Sequence, residues 1–370
     1  MPIYRKGELF NGPGGLAWGA SNARFVDENG EEFRVRHEWA NDFDETSCET
    51  YRRNICPERP ETVICGPVQD LDITTLPPID AFAFGFPCND FSVVGEHRGM
   101  DGNFGGLYWH GVQVLRHHRP QWFIAENVGG LQSANQGRAF LQIMKDLIES
   151  GYRIYPHLYK FEEYGVPQTR KRIIIVGIRN DIERVFRIPA PTHLNNFITA
   201  EHALMNIPED AVNHEIPVHN ERVTTMLRYI PEGENAWSEE IPEEHRLNVR
   251  GARLSNIYRR LDRNQPSYTV TGSGGGGTHV YHWEEHRALS NRERARLQTF
   301  PDDFVFEGSR EKVRRQVGMA VPPKAAQVIV EAILKTMAGV DYPVDPRGPK
   351  WTQSEIEEMI INHFGQMTIV

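Results

Sequence analysis

The chain has 370 residues, more than one ordinary domain, so two domains or one large domain with an insertion are expected. With 39% hydrophobic and 25% charged residues, and 24 Pro and 32 Gly spread along its length, it has a globular composition that excludes collagenous, fibrous or wholly disordered classes. A net charge of −9 argues against a nucleic-acid partner until its distribution is read: 33 Arg stand against 8 Lys, six Arg fall between Arg246 and Arg263, and six Glu between Glu232 and Glu244, so an acidic chain can still carry one basic face, with solvated surface charge as the plainer reading.

In chain order, short apolar runs read as strands at Gly7–Phe10, Phe33–Trp39, Glu61–Cys65, Asp80–Phe84, Gln121–Ala125 and Arg172–Ile178. Helices are expected between them at Glu45–Asn54, Leu107–His118 and Gln136–Ser150. Apolar strands alternating with helices indicate an α/β fold with a mostly parallel sheet covered on both faces, and Tyr152–Lys160 with Arg172–Arg179 would close it as an antiparallel edge. The alternation breaks near Ile188-Pro-Ala-Pro191; from there to about His286 the chain is polar, rich in Pro and Arg, and contains the glycine run Gly272–Gly277, which reads as a second, irregular domain. A helix resumes at Leu289–Phe300, with Ser290 and Glu293 spaced as a capping box, followed by Ala325–Met337 and an appended amphipathic helix over Trp351–Val370. No apolar run approaches the ~20 residues of a membrane span. The amino terminus MPIYRKGELFNG has no apolar signal segment. Four cysteines (Cys48, Cys56, Cys65, Cys88) without a C-x2-C pair make neither a disulfide framework nor a structural zinc site, so a reduced, cytoplasmic protein without metal or membrane is expected.

Four segments bear chemistry. Phe10-Asn-Gly-Pro-Gly-Gly15-Leu16 is a tight turn or a ligand loop whose backbone N–H groups meet a ligand at a helix amino terminus. Asp42, past the second strand, suits ribose hydroxyls, and Phe43 beside it an adenine ring. In Gly85-Phe-Pro87-Cys88-Asn-Asp-Phe-Ser92 the cysteine follows a strand end; a free cysteine is ordinarily a small core residue, but this one is expected on a turn, where its thiolate would be a nucleophile. Ala125-Glu126-Asn-Val128 ends a strand on a carboxylate, which is a cap, an ion pair or an acid whose raised pKa lets it protonate a ring nitrogen. In Gln168-Thr-Arg170-Lys-Arg172 alternate residues of a strand share a face, so the two arginines would reach one target together, or line a solvated face.

The joint order of these motifs, from Leu9 to about Leu334, resembles the DNA cytosine-5 methyltransferases. The glycine loop is followed by Asn41-Asp-Phe-Asp44, Leu71-Asp72-Ile73-Thr, the Pro-Cys segment, Glu-Asn-Val and Gln-x-Arg-x-Arg. After a variable region come Arg287-Ala-Leu-Ser-Asn-Arg-Glu293 through Phe300-Pro301-Asp, and Val317-Gly-Met-Ala-Val-Pro-Pro323. The resemblance implies a Rossmann-like, S-adenosyl-L-methionine-dependent mixed sheet with a smaller irregular target recognition domain. It implies a catalytic domain at 1–190, target recognition at 191–286, a segment at 287–340 completing the catalytic domain, and a tail at 341–370. Cys88 would add to carbon 6 of a flipped-out cytosine, with Glu126, Arg170 and Arg172 around the ring. The cofactor would lie against Phe10, Gly12, Gly14, Gly15, Leu16, Asp42, Phe43, Asp72, Ile73, Pro87 and Leu107. DNA would meet Ser92, Gln168, Arg250, Arg253, Arg259, Arg260 and Thr269, with Arg263 beside them, and the glycine-bearing loop from Gly95 to Gly106 would close over it. Partners implied are double-stranded DNA with one target sequence and a cognate restriction endonuclease, for a monomer at the bacterial nucleoid. A tRNA cytosine methyltransferase and a catalytically silent DNA-binding homologue are the alternatives; the intact Cys88, Glu126, Arg170 and Arg172 speak against the second. Two positions depart from the family: Met319 stands where Asn is usual, and Asn89 where Gln is common.

Overall fold

The structure, a computed structural model, describes residues 2–86, 106–248, 254–272 and 276–365. The chain divides into two compact units, the first comprising residues 1–160, 171–191 and 326–370 and the second residues 161–170 and 192–325.

The first unit is built on β1 (Ile3–Leu9), β2 (Arg24–Val26), β3 (Glu32–Asp42), β4 (Val63–Cys65), β5 (Ala81–Gly85), β6 (Trp122–Val128) and β7 (Tyr152–Lys160); after the two-residue β8 (Gln168–Thr169) of the second unit, β9 (Lys171–Arg179) completes its sheet. The order is β2-β3-β1-β5-β6-β9-β7, with β4 also on β3. β2 runs antiparallel to the first residues of β3 and β4 parallel to its last three, so the two share one edge of the long strand. The centre, β3-β1-β5-β6, is parallel, while β9 is antiparallel to both β6 and β7, which gives the mixed sheet with the expected antiparallel edge. Of the expected strands, Glu61–Cys65 is shortened to Val63–Cys65, because Pro60 opens a helical turn over Pro60–Thr62. β6 instead runs three residues further than expected, through Glu126 and Asn127.

Alternation in the strands sends side chains to two covered faces. Trp39, Phe82, Phe84, Phe123 and Ile175 join a core with α3 (Tyr108–His118) and α4 (Arg138–Ile148), while Ala40 and Val63 pack with α1 (Gly15–Asn22) and α2 (Glu45–Ile55).

The second unit carries little regular structure: α5 (Ala200–Leu204), α6 (Glu221–Arg228), β10 (Ser267–Tyr268), α7 (Asn291–Leu297) and α8 (Arg310–Met319), with β8 and β10 paired over two residues. The capping box at Ser290 and Glu293 is present. Residues 287–325, expected to complete the catalytic domain, pack in the second compact unit. The reason is that α7 is tied to it through Arg292, whose guanidinium donates to the carbonyls of Val212, Pro301 and Phe304 at 2.9, 2.8 and 2.7 Å. The chain returns to the first unit within α9 (Pro323–Ala338) and ends in α10 (Gln353–Phe364), whose Ile356 and Ile360 join the core of α4. The stretch Arg310–Ala338 is long and apolar enough to cross a membrane, contrary to the expectation of no such run, yet its most apolar window is 67% buried and it is interrupted between α8 and α9.

Candidate functional site

The register brings the carboxyl ends of the parallel strands together. Leu9 pairs with Asn41 on one side and Phe84 on the other, and Gly85 pairs with Glu126. In open α/β sheets this edge is where ligands bind. The turn after β1 is shaped by two left-handed glycines, Gly12 (φ +50°) and Gly14 (φ +97°). A Cβ on Gly14 would meet Ile55 at 2.9 Å and Tyr51 at 3.0 Å, whereas the space beside Gly12 is open within 4 Å. Gly14 caps α1, so the free N–H groups at Gly15 and Leu16 head a helix. Phe10 packs on the core.

Asp42 locks this turn. One carboxylate oxygen accepts the Gly12 N–H at 2.8 Å and the other the Asp44 N–H at 3.0 Å. Burial raises its pKa, and those N–H groups pull it back down. Phe43, 62% exposed, projects from the same strand end. Asp72 accepts from the Thr74 hydroxyl and N–H, which hold its carboxyl below the usual range. The Ile73 carbonyl takes the His118 imidazole at 2.9 Å. Leu107 lies half-buried at the start of α3, and Pro87 lies outside the described residues. Open space at Gly12, a helix amino terminus, a carboxylate beside an exposed ring, and a buried Asn11 Oδ1 with no partner among the described residues together fit the methionine, ribose and adenine parts of S-adenosyl-L-methionine.

Next to this edge Glu126 forms an ion pair with Arg172, Oε1 to Nε at 2.9 Å, each side chain 14% exposed. Gly85, opposite Glu126, leaves room for it, since a Cβ there would stand 3.3 Å from Oε2. Asn127, which sequence reasoning quoted without a role, is buried and donates to the Phe86 carbonyl at 2.8 Å while its own Oδ1 accepts the Val128 N–H. Its signal was an amide near the end of an apolar strand, which must find partners when buried. Phe86 immediately precedes Pro87-Cys88; Cys88, Ser92 and the loop from Gly95 as far as residue 105 lie outside the described residues.

Arg170 and Arg172 do not share a strand face as expected. β9 begins at Lys171, so Arg170 precedes the ladder and the alternation fails. Arg170 is 1% exposed and donates to the carbonyls of Val270, Gly318 and Ala320 within the second unit. Gln168, a candidate DNA contact, is fully buried, donating to the Leu297 carbonyl and the Gln298 side chain and accepting the Val270 N–H. The Thr269 hydroxyl donates to the Thr169 carbonyl at 2.7 Å.

Arg260, also a candidate contact, is 5% exposed and donates to the carbonyls of Leu227, Ile230, His282 and Trp283. Arg263 is surrounded by Glu201, Glu232 and Glu284. Arg259 is half-buried and lies 4.7 Å over the Tyr268 ring. Arg250 and Arg253 are outside the described residues.

The family model for C-5 cytosine-specific DNA methylases matches residues 4–335. Type II methyltransferase M.BbvI of Brevibacillus brevis is 63% identical over 348 residues, covering 92% of this chain and 93% of that protein. Type II methyltransferase M.NgoFVII of Neisseria gonorrhoeae is 42% identical, covering 88% and 85%. Among solved structures, a candidate DNA modification methyltransferase encoded within an Escherichia coli prophage has a TM-score of 0.69 at 20% identity, covering 91% of this chain and 100% of that one; this likeness shows the fold.

Proposed function

The chain belongs to the C-5 cytosine-specific DNA methylases, and from that premise we propose that it methylates carbon 5 of a flipped-out cytosine in one short duplex sequence through a covalent Cys88–C6 adduct. It is a DNA (cytosine-5-)-methyltransferase whose methyl donor is S-adenosyl-L-methionine. We take it to be the modification enzyme of a type II system, acting as a monomer opposite a cognate endonuclease, with target choice made by residues 191–286, all but the first of them in the second unit. The observation that carries the reading is the Glu126–Arg172 pair beside Gly85 and Phe86, the residues leading into Pro87-Cys88.

Carbon 5 of cytosine is too weak a nucleophile to attack a methyl donor unaided. Attack of the Cys88 thiolate at carbon 6 breaks the 5,6 π bond and makes carbon 5 an enamine terminus. Glu126 would hydrogen-bond ring nitrogen 3 and the exocyclic amine, drawing the electron density that the thiolate adds. Arg172 holds the Glu126 carboxylate in place and would reach the carbonyl at position 2. Asn127 fixes the Phe86 carbonyl and so the start of the nucleophile segment. When bound, S-adenosyl-L-methionine supplies an electrophilic methyl group on a sulfonium, and the Phe10–Leu16 turn, Asp42, Phe43, Asp72 and Ile73 would hold it. The carbon-5 proton then leaves and its electron pair re-forms the double bond as the C6–sulfur bond breaks. Taking the base out of the duplex costs a few kcal/mol, supplied by contacts to the flanking strands.

A duplex with 5-fluorocytosine at the target tests this directly, because fluorine at carbon 5 blocks the final elimination. Wild-type protein should form a denaturant-stable adduct and Cys88→Ser none, with bisulfite sequencing of DNA from expressing cells reading the target. A Cys88→Ser protein that still methylates would remove Cys88 as nucleophile.

A further inference from the structure

Three buried arginines of the second unit are each held by several carbonyls: Arg170 by three, Arg260 by four, Arg292 by three. Arg294 and Arg314 are not. The guanidinium of Arg294, a residue 2% exposed on α7, has among the described residues one hydrogen-bond partner, the Nδ1 of His279 at 3.1 Å. Arg314 on α8 brings a guanidinium nitrogen to 3.5 and 3.4 Å from the two nitrogens of the same imidazole. Its one ion pair among the described residues is with Glu311, at 3.5 Å, and that glutamate is 83% exposed. Its Nε is buried with no hydrogen-bond partner among the described residues. Two guanidiniums therefore converge on one side chain, with no ion pair to a buried carboxylate among the described residues. Burial and then Arg294 and Arg314 push His279 down to about 4, so it stays neutral and adds no compensating charge; burial and then Arg314 push Arg294 down to about 10. Like charges so close are unfavourable unless an anion joins them.

The packing that makes this arrangement is specific. Gly272 and Gly318 touch so closely that a Cβ on Gly318 would fall 2.0 Å from the Gly272 nitrogen, which seats the start of the glycine run on α8. A Cβ on Gly277 would stand 2.9 Å from the Tyr258 ring, so the chain packs closely there just before His279 meets Arg294 of α7 and Arg314 of α8. We propose that Arg314, Arg294 and His279 form a seat for one phosphate of the nucleic-acid backbone, with Arg314 and His279 at its partly exposed mouth and Arg294 behind them. The proposal rests on the reading of the chain as an enzyme acting on DNA, and adds to it a contact outside the Arg246–Arg263 cluster.

The test uses the full-length protein and Arg314→Gln, with Arg314→Lys as the charge-retaining control. Binding to target and scrambled duplexes is followed by fluorescence anisotropy across a salt series, and thermal unfolding is recorded without DNA, with and without inorganic phosphate at fixed ionic strength. A backbone phosphate at this seat predicts that Arg314→Gln weakens binding to both duplexes alike and lowers the salt slope by about one, while Arg314→Lys keeps the slope. Unfolding without DNA should not be lowered by Arg314→Gln, since one of two repelling charges is gone, and phosphate should stabilise wild type more than the variant. An unchanged slope would overturn the proposal. If phosphate stabilised wild type selectively but the slope were unchanged, the occupant would be free phosphate and the backbone assignment would fall. Should wild type bind no duplex at all, the DNA reading fails instead, and equal phosphate effects on wild type and Arg314→Gln would still sink the seat.

Discussion

The two units solve the same problem by different means. In the first, sheet ladders take up the backbone N–H and C=O groups, and side chains at strand ends such as Asp42, Glu126 and Arg172 gather at one edge of the sheet. In the second, the described strands are two residues long and the helices short, and guanidiniums of Arg170, Arg260, Arg292 and Arg296 are spent on carbonyls. Arg170 and Arg172, two residues apart, fall on opposite sides of this divide: the first bonds three carbonyls, the second a carboxylate at a strand end. An arginine-rich stretch is thus not a measure of DNA contact; a five-donor planar cation is as well suited to closing an irregular fold as to reading phosphates.

The contrast can be broken or sharpened by experiment. Glu126→Gln should cut the methylation rate by ~10²–10⁴ with no loss of folded protein, as for a lost acid at a reacting ring; an unchanged rate would mean that something else activates the ring nitrogen. Arg260→Gln should act the other way, costing about 1–3 kcal/mol for each buried carbonyl left without a donor. Urea unfolding would read that loss, and Arg263→Gln, an exposed arginine among acids, should show little by comparison. If the two variants were equally stable, arginine would not be what holds the second unit together. Gly14→Ala should cost about 1–2 kcal/mol for the left-handed backbone, and more for the contact with Ile55, and should weaken binding of S-adenosyl-L-methionine measured by calorimetry.

The last effect is electrostatic. His37 is buried against Tyr51 and Thr62, and burial, then Lys6 and Arg59, push its pKa down to about 3. Unfolded, it binds a proton below ~6.5, which the folded chain refuses until about pH 3. Stability should therefore fall as pH is lowered through that window, by at most about 1.4 kcal/mol per pH unit. His37→Gln should flatten that part of the profile; an unaltered slope would assign the acid sensitivity to other groups.

Much of the first unit is legible in sequence because its cause is local. Apolar runs alternating with helices place the sheet, the glycines at 12 and 14 mark a turn with left-handed backbone, and Glu126 stands out as a carboxylate closing an apolar strand. The second unit resists such reading. α5 is five residues long and α8 mostly polar, and neither they nor the amphipathic α6 were expected, though Thr199, Asn220 and Ser309 cap them. The capping box of α10 at Thr352 and Glu355 was equally readable and equally missed.

The sequence by itself determined the order of motifs, the family they belong to, and the residues at the strand ends, since these depend on spacing and backbone conformation within a few residues. Only the tertiary structure decided what each arginine is for. Gln168, Arg170 and Arg260 find their partners some 20 to 150 positions away, at Leu297, Gly318 and His282 among others, and no local pattern encodes which carbonyls an irregular fold will leave unpaired. Separation of 15 and 35 positions likewise brings His279 to Arg294 and to Arg314.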